Sequence, residues 1–166
     1  MESGALAAGL AAYGVPLITG ADAGAPPGFA DLVAGLSQSD DPRFRQCLVP
    51  LLLANSSNSS EAAERIAGLK GPAGREARIL YTAAAALQRN WNTQLRMAGL
   101  PQTPIEDRYS KELDVPPATE DFGRPCLAAL GDLPSAFDGL IFDRAEACTR
   151  MLGLLLEERH LHATAR

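Results

Sequence analysis

From Leu80 onward, apolar side chains recur at steps of three or four: Ala83, Leu87, Trp91, Leu95 and Ala98, with Ile79 beside the first. A repeat near 3.6 residues puts these side chains on one face of a helix. The pattern predicts a single helix over about 74–98, with Gly99 as its C-cap. An amphipathic rod of that length has to be covered, and the rest of the chain offers helices to cover it. It holds 29 Ala and 24 Leu against 4 Val and 5 Ile. Ala and Leu favour helices, whereas β-branched residues favour strands, so all-β and parallel-sheet folds are excluded.

Residues 3–13 read as an Ala/Leu helix stopped by Gly14 and Pro16, and 19–28 as a loop. A short helix over 29–37 follows, with Phe29, Leu32, Val33 and Leu36 on one face. Asp40-Asp41-Pro42 marks a helix start, because Asp accepts N–H groups at the N-cap and Pro fits the first turn. That helix is expected to reach Ala54, kinked at Pro50. Leu48, Val49, Leu51, Leu52 and Leu53 cover most of its circumference, which predicts a central, buried position. Asn55–Ser60 reads as a polar linker, with Asn58 or Ser60 capping a helix over 60–69. Gly71-Pro72-Ala73-Gly74 reads as the next break. Residues 100–118, with four prolines, read as a long connection with a turn near Tyr109–Leu113. A short helix from Thr119 or Glu120 to Leu130 is disturbed by Pro125. Ser135 reads as the cap of a final helix over 136–161, burying Phe137, Ile141, Ala145, Cys148, Leu152 and Leu155. Glu146 and Arg150 stand at supportive i,i+4 spacing on its polar side.

These readings add up to an all-α, single-domain irregular bundle of five to seven helices over 1–166. The N-terminal segment 1–37 has no assigned packing. The core spans 38–161 and is built on helices at 41–54, 75–98 and 136–160.

The net charge is −5, from 15 basic and 20 acidic residues, which disfavours nucleic acid as a partner. The uncharged stretch 3–21 lacks a basic leader and contains Gly9, Gly14 and Pro16, so it reads as neither a signal peptide nor a membrane span. Cys47, Cys126 and Cys148 are odd in number, far apart, and each beside Leu, Ala or Pro. They read as small buried hydrophobes, not as disulfides or zinc ligands. The expected compartment is the cytoplasm.

The best candidate surface is a polar stripe on the long helix. Arg78, Thr82, Ala85, Arg89, Asn92 and Arg96 follow a 4-3-4-3-4 spacing. Spaced guanidiniums can engage phosphates or the acidic groups of a partner, and the alternative is an ordinary solvated helix face. Trp91 falls in the apolar register. It reads as a core residue or, failing that, as an aromatic anchor for a partner. Tyr81 lies one position off that register, at a boundary with its hydroxyl wet.

Nothing in the sequence composes a catalytic site. The serines cluster at 56–60 without a nucleophile elbow. Adjacent acids diverge on a helix. Glu158 and His162 share a face, but two ligands are too few for a metal site. Asp121-Phe122-Gly123 lacks every other part of a kinase. No metal and no cofactor is expected.

Asp41-Pro-Arg-Phe-Arg, Leu48-Val-Pro-Leu-Leu-Leu-Ala, Leu80-Tyr-Thr-Ala-Ala-Ala-Ala-Leu-Gln-Arg-Asn-Trp and Asp121-Phe-Gly occur in this order. Together, over about 38–156, they resemble an uncharacterised family of small bacterial helical proteins associated with nucleotidyltransferase-domain proteins. The resemblance implies a nucleotidyltransferase as partner, in a toxin–antitoxin-like or regulatory pair. It transfers no catalytic residue. The leading expectation is a non-enzymatic interaction or regulatory protein that contacts a protein partner through Arg78, Arg89, Asn92, Arg96 and Trp91. One alternative is a small-molecule or nucleotide-binding helical protein, including an enzyme. Another is a structural homo-oligomer joined through the N-terminal helix.

Overall fold

A computed structural model of the chain describes residues 1–19 and 25–165. Residues 20–24, within the loop expected over 19–28, lie outside the described residues. Among the described residues there are nine α-helices, two 3-10 turns and no strand. The helices are α1 (Ser3–Ala12), α2 (Phe29–Ser37), α3 (Pro42–Gln46), α4 (Leu48–Ala54), α5 (Ser59–Ala67), α6 (Gly71–Asn90), α7 (Asn92–Met97), α8 (Arg124–Gly131) and α9 (Arg144–Thr164). Nine exceeds the expected five to seven, because two helices expected as single rods are each divided. No helix among the described residues is long and apolar enough to cross a membrane.

The helix expected over 41–54 breaks at Cys47, not at Pro50 itself. A proline ring clashes with the carbonyl four residues earlier, here that of Gln46, and cannot donate to it. The chain therefore closes α3 at Gln46 and restarts at Leu48, with Pro50 in the first turn of α4. Asp41 caps α3 as expected, its carboxylate accepting the Arg43 N–H at 2.8 Å. Residues 48–54 are all buried.

The rod expected over 74–98 starts earlier, at Gly71, and breaks at Trp91. Gly71-Pro72-Ala73-Gly74 is its first turn instead of a break, because Pro72 needs no N–H partner there. Asn90 and Asn92, both poor helix formers, flank the break. Gly99 ends α7 as predicted, at φ +70°. Leu100 N–H donates to Leu95 O and Gly99 N–H to Arg96 O, the paired bonds of a left-handed helix stop.

α6 is the central element, packed against α2, α4, α5, α8 and α9. The N-terminal segment joins the body through α2. Cβ atoms added at Gly9 and Gly35 would meet Leu32 Cδ1 at 2.8 Å and Leu6 Cδ2 at 2.9 Å. Only glycine permits so close an approach of α1 and α2. Residues 55–60 form no linker. They make a 3-10 turn (Ser56–Asn58) running into α5, with Ser56 and Ser59 buried; Asn58 stands at the N-cap of α5 but its side chain makes no capping hydrogen bond, and Ser60 lies inside the helix. A second 3-10 turn, Glu120–Gly123, precedes α8, so the helix expected from 119 starts at Arg124. Pro125 initiates that helix instead of disturbing it.

The largest departure concerns the last helix. It begins at Arg144, not 136. Asp143 is its N-cap and accepts the Glu146 N–H at 2.8 Å, so Ser135 is not the cap. Residues 132–143 are helix-free. Phe137 and Ile141, expected to be buried, are 37% and 71% exposed. Cys148, Leu152 and Leu155 are buried as predicted, and Arg150 donates to Glu146 at 3.3 Å.

Candidate functional site

A concave surface opens where the 132–143 connection crosses α3, the start of α6 and the start of α9. It encloses about 520 Å³. Pro42, Arg45 and Gln46 come from α3, Glu76 and Leu80 from α6, and Ala147 and Cys148 from α9. The connection supplies Phe137, Asp138, Leu140, Ile141 and Phe142.

One buried ion pair builds this wall. Arg144, 1% exposed, faces Glu76, 7% exposed, at 3.1 Å. Its Nε–H and Nη2–H groups donate to the two Glu76 oxygens. Its Nη1 group donates to Leu130 O at 3.0 Å and Leu133 O at 2.7 Å. Glu76 Oε2 also accepts the Ala136 N–H at 3.2 Å. Both charges are thus satisfied, which is what a buried pair requires. The connection is tied at two backbone positions, Leu133 O and Ala136 N–H, to a side chain of α9 or α6, and Leu130 O of α8 is tied to Arg144 as well. Glu76 was the overlooked residue. It stands four before Leu80, in the apolar register of α6, and a carboxylate there signals a buried partner.

The rim is polar and of both signs. Arg45 donates to Ser39 O and Asp40 O and stacks on Phe137, its guanidinium carbon 3.9 Å from the ring centre. The Leu140 N–H and the Ser135 hydroxyl hold the Asp138 carboxyl below its usual pKa, so it stays anionic. Beneath them, burial pushes the Cys148 thiol up to about 12. A thiol that stays protonated at neutral pH is no nucleophile. The groove can bind; nothing in it assembles a base beside a nucleophile.

The residues of the polar stripe divide into two groups. Arg78 is turned inward, donating to Leu69 O at 3.3 Å and pairing with Glu112 at 3.3 Å. Arg89 donates to Ala85 O at 2.6 Å and Ile105 O at 3.1 Å. Asn92 and Arg96 are exposed on α7, 3.3 Å apart, and Asn92 also donates to Gln102. Trp91 is half-buried at the α6–α7 break, packed on the core. Tyr81 is fully buried, not wet, and meets Tyr109 edge-on at 5.4 Å.

The Leu80–Trp91 string works inside the fold. Gln88 donates to Thr103 O and accepts the Ile105 N–H, both at 2.8 Å. With Arg89 it fastens the 100–118 connection to α6. His162 approaches Glu158 at 2.7 Å. Among the described residues no three His, Cys, Asp or Glu side chains converge as metal ligands. Comparison with protein-family models, with curated proteins and with solved structures finds no match for this chain.

Proposed function

We propose that this chain is a non-enzymatic, cytoplasmic interaction protein of one domain, which binds a protein partner through the groove walled by residues 132–143. The observation that carries the reading is the exposure of Phe137, Leu140 (65%) and Ile141 (71%) together on a segment tied down by Glu76 and Arg144. Three apolar side chains displayed on an anchored wall favour association, because little ordering is left to be done on binding. Asp40 and Asp138 at the rim, with Arg45 already engaged by two carbonyls and a ring, suit a partner segment with apolar side chains flanked by Lys or Arg. The resemblance described above suggests a nucleotidyltransferase in a regulatory pair. Arg96 and Asn92 on α7 offer a secondary contact.

The test is capture of partners from the native host by the wild-type chain and by Leu140→Asp/Ile141→Asp, with identification by mass spectrometry. A stoichiometric protein present with the first and absent with the second supports the reading. Equal recovery removes the groove from it.

The cavity volume favours a second reading, since about 520 Å³ lies within the range of small-molecule sites. A ligand that fills the groove would raise Tm by mass action. A screen of nucleotides and acidic metabolites separates the two readings.

A further inference from the structure

A second cavity, against Tyr81 of α6, has no part in the reading above. It holds about 150 Å³ and is lined by Ser57, Ser59, Ser60, Tyr81, Thr103, Pro104 and Glu106. Tyr81 is 0% exposed, and its hydroxyl lies beside that of Ser59 without making a hydrogen bond of good geometry. A buried hydroxyl left unpaired is costly, yet this one stands in a cavity ringed by serine and threonine hydroxyls. Burial pushes the Tyr81 hydroxyl up to about 12, so it is a donor at every physiological pH. The guanidinium of Arg108 reaches the same rim, its Nη2 3.2 Å from the Ser60 hydroxyl.

We infer that this cavity is a binding site for a tetrahedral oxyanion, either inorganic phosphate or the terminal phosphoryl group of a small molecule, held by the hydroxyls of Tyr81, Ser59 and Ser60 and by Arg108. The volume is several times the roughly 30 Å³ that one liquid water occupies, so it has room for a tetrahedral oxyanion. Hydroxyl hydrogens have no fixed direction and can all turn to one anion. Arg108 supplies the charge, and charge-assisted bonds of this kind are the strong ones. Arg108 rests on Glu106 at 3.1 Å. Glu106 is exposed and lines the same cavity. Glu106 is therefore the internal competitor that an oxyanion displaces. Ser57, Ser60, Thr103 and Glu106 are exposed and form the mouth through which an anion enters.

The experiment is titration of the full chain with sodium phosphate against sodium chloride at matched pH and ionic strength, read by Tm and by calorimetry. Phosphoserine and a nucleoside monophosphate form a second arm. Wild type should bind phosphate saturably. Tyr81→Phe should fold at least as stably without phosphate, since it removes an unpaired polar group, and should bind about tenfold or more weakly. The exposed Ser60→Ala keeps the test open if the core variant fails to fold, and it should weaken binding in the same direction. Glu106→Gln should tighten it. Stronger binding in the second arm names a phosphoryl group, and equal or weaker binding names free phosphate. No saturable phosphate response in wild type overturns the site. So does equal binding by Tyr81→Phe, or by Ser60→Ala should Tyr81→Phe not fold.

Discussion

Two connections without α-helix cross the central helix, and they meet water in opposite ways. The 100–118 connection turns its apolar side chains inward: Ile105, Tyr109, Leu113 and Ala118 are all buried. The 132–143 connection turns Phe137, Leu140 and Ile141 outward. Both are fastened by the same device, an α6 side chain bonded to loop backbone. Gln88 and Arg89 grip Thr103 and Ile105; Glu76 grips Ala136 and, through Arg144, the carbonyl of Leu133. In the first connection Asp107 adds an internal staple, accepting the Ser110 and Ala118 N–H groups. The Tyr109 hydroxyl adds a bond to Ala63 O at 2.7 Å. The contrast teaches that fastening alone does not distinguish core from surface. Where the fastened segment buries its apolar side chains, it completes the fold. Where it displays them, it is available to something else.

The comparison breaks most visibly at Glu76. Glu76→Ala leaves Arg144 buried without its counter-charge and should cost about 3–5 kcal/mol by urea denaturation. It should also expose Cys148 to a thiol reagent while Cys126, buried near Asp107 and Arg89, stays protected. Gln88→Ala should cost less, about 1–3 kcal/mol, because it orphans the Ile105 N–H. It should loosen Cys126 and not Cys148. If both variants expose both thiols together, the two connections are one cooperative unit and the contrast fails.

A smaller effect follows from pH. Burial raises the thiols of Cys47, Cys126 and Cys148 to about 12, from an ordinary value of 9.0. Above pH 9 the unfolded chain loses these protons and the folded chain keeps them, so stability is intact below pH 9 and falls between 9 and 12. Each thiol should contribute a slope of about 1 kcal/mol per pH unit, flattened in Cys126→Ala or Cys148→Ala measured from pH 8 to 10.5. A smaller stability change belongs to Leu140→Asp/Ile141→Asp, within about 0.5 kcal/mol for each exposed site. A large loss there would mean that the outward side chains belong to the core.

Much of the fold was legible. The bounds of α2, the Asp41 cap and the Gly99 stop each follow from local chemistry that a sequence displays directly. The start of α9 was misread because Phe137, Ile141 and Ala145 continue the helical register backward by coincidence. The true signal was present in Asp143 and Glu146, at the spacing of an N-cap and its third helical residue, and in Gly139, which sits at φ +71°. The groove was not legible, since Glu76 and Arg144 are far apart in sequence and no local pattern couples them. The stripe illustrates the converse. Its spacing was real, but spacing cannot tell that Arg89 is spent on Ile105 while Arg96 is free to reach outward. Arg89→Glu should therefore unfasten the 100–118 connection and lower stability, whereas Arg96→Glu should leave it unchanged by denaturation.

The most direct measurement is the affinity of a partner captured by the wild-type chain for three proteins side by side: wild type, Leu140→Asp/Ile141→Asp and Arg96→Glu, each confirmed folded by its Tm. The expected result is a loss of about 100-fold or more for the loop variant, as for removal of a central apolar anchor, with at most a severalfold loss for Arg96→Glu. Wild-type affinity in the loop variant would contradict the account, and loss confined to Arg96→Glu would return the binding surface to α7.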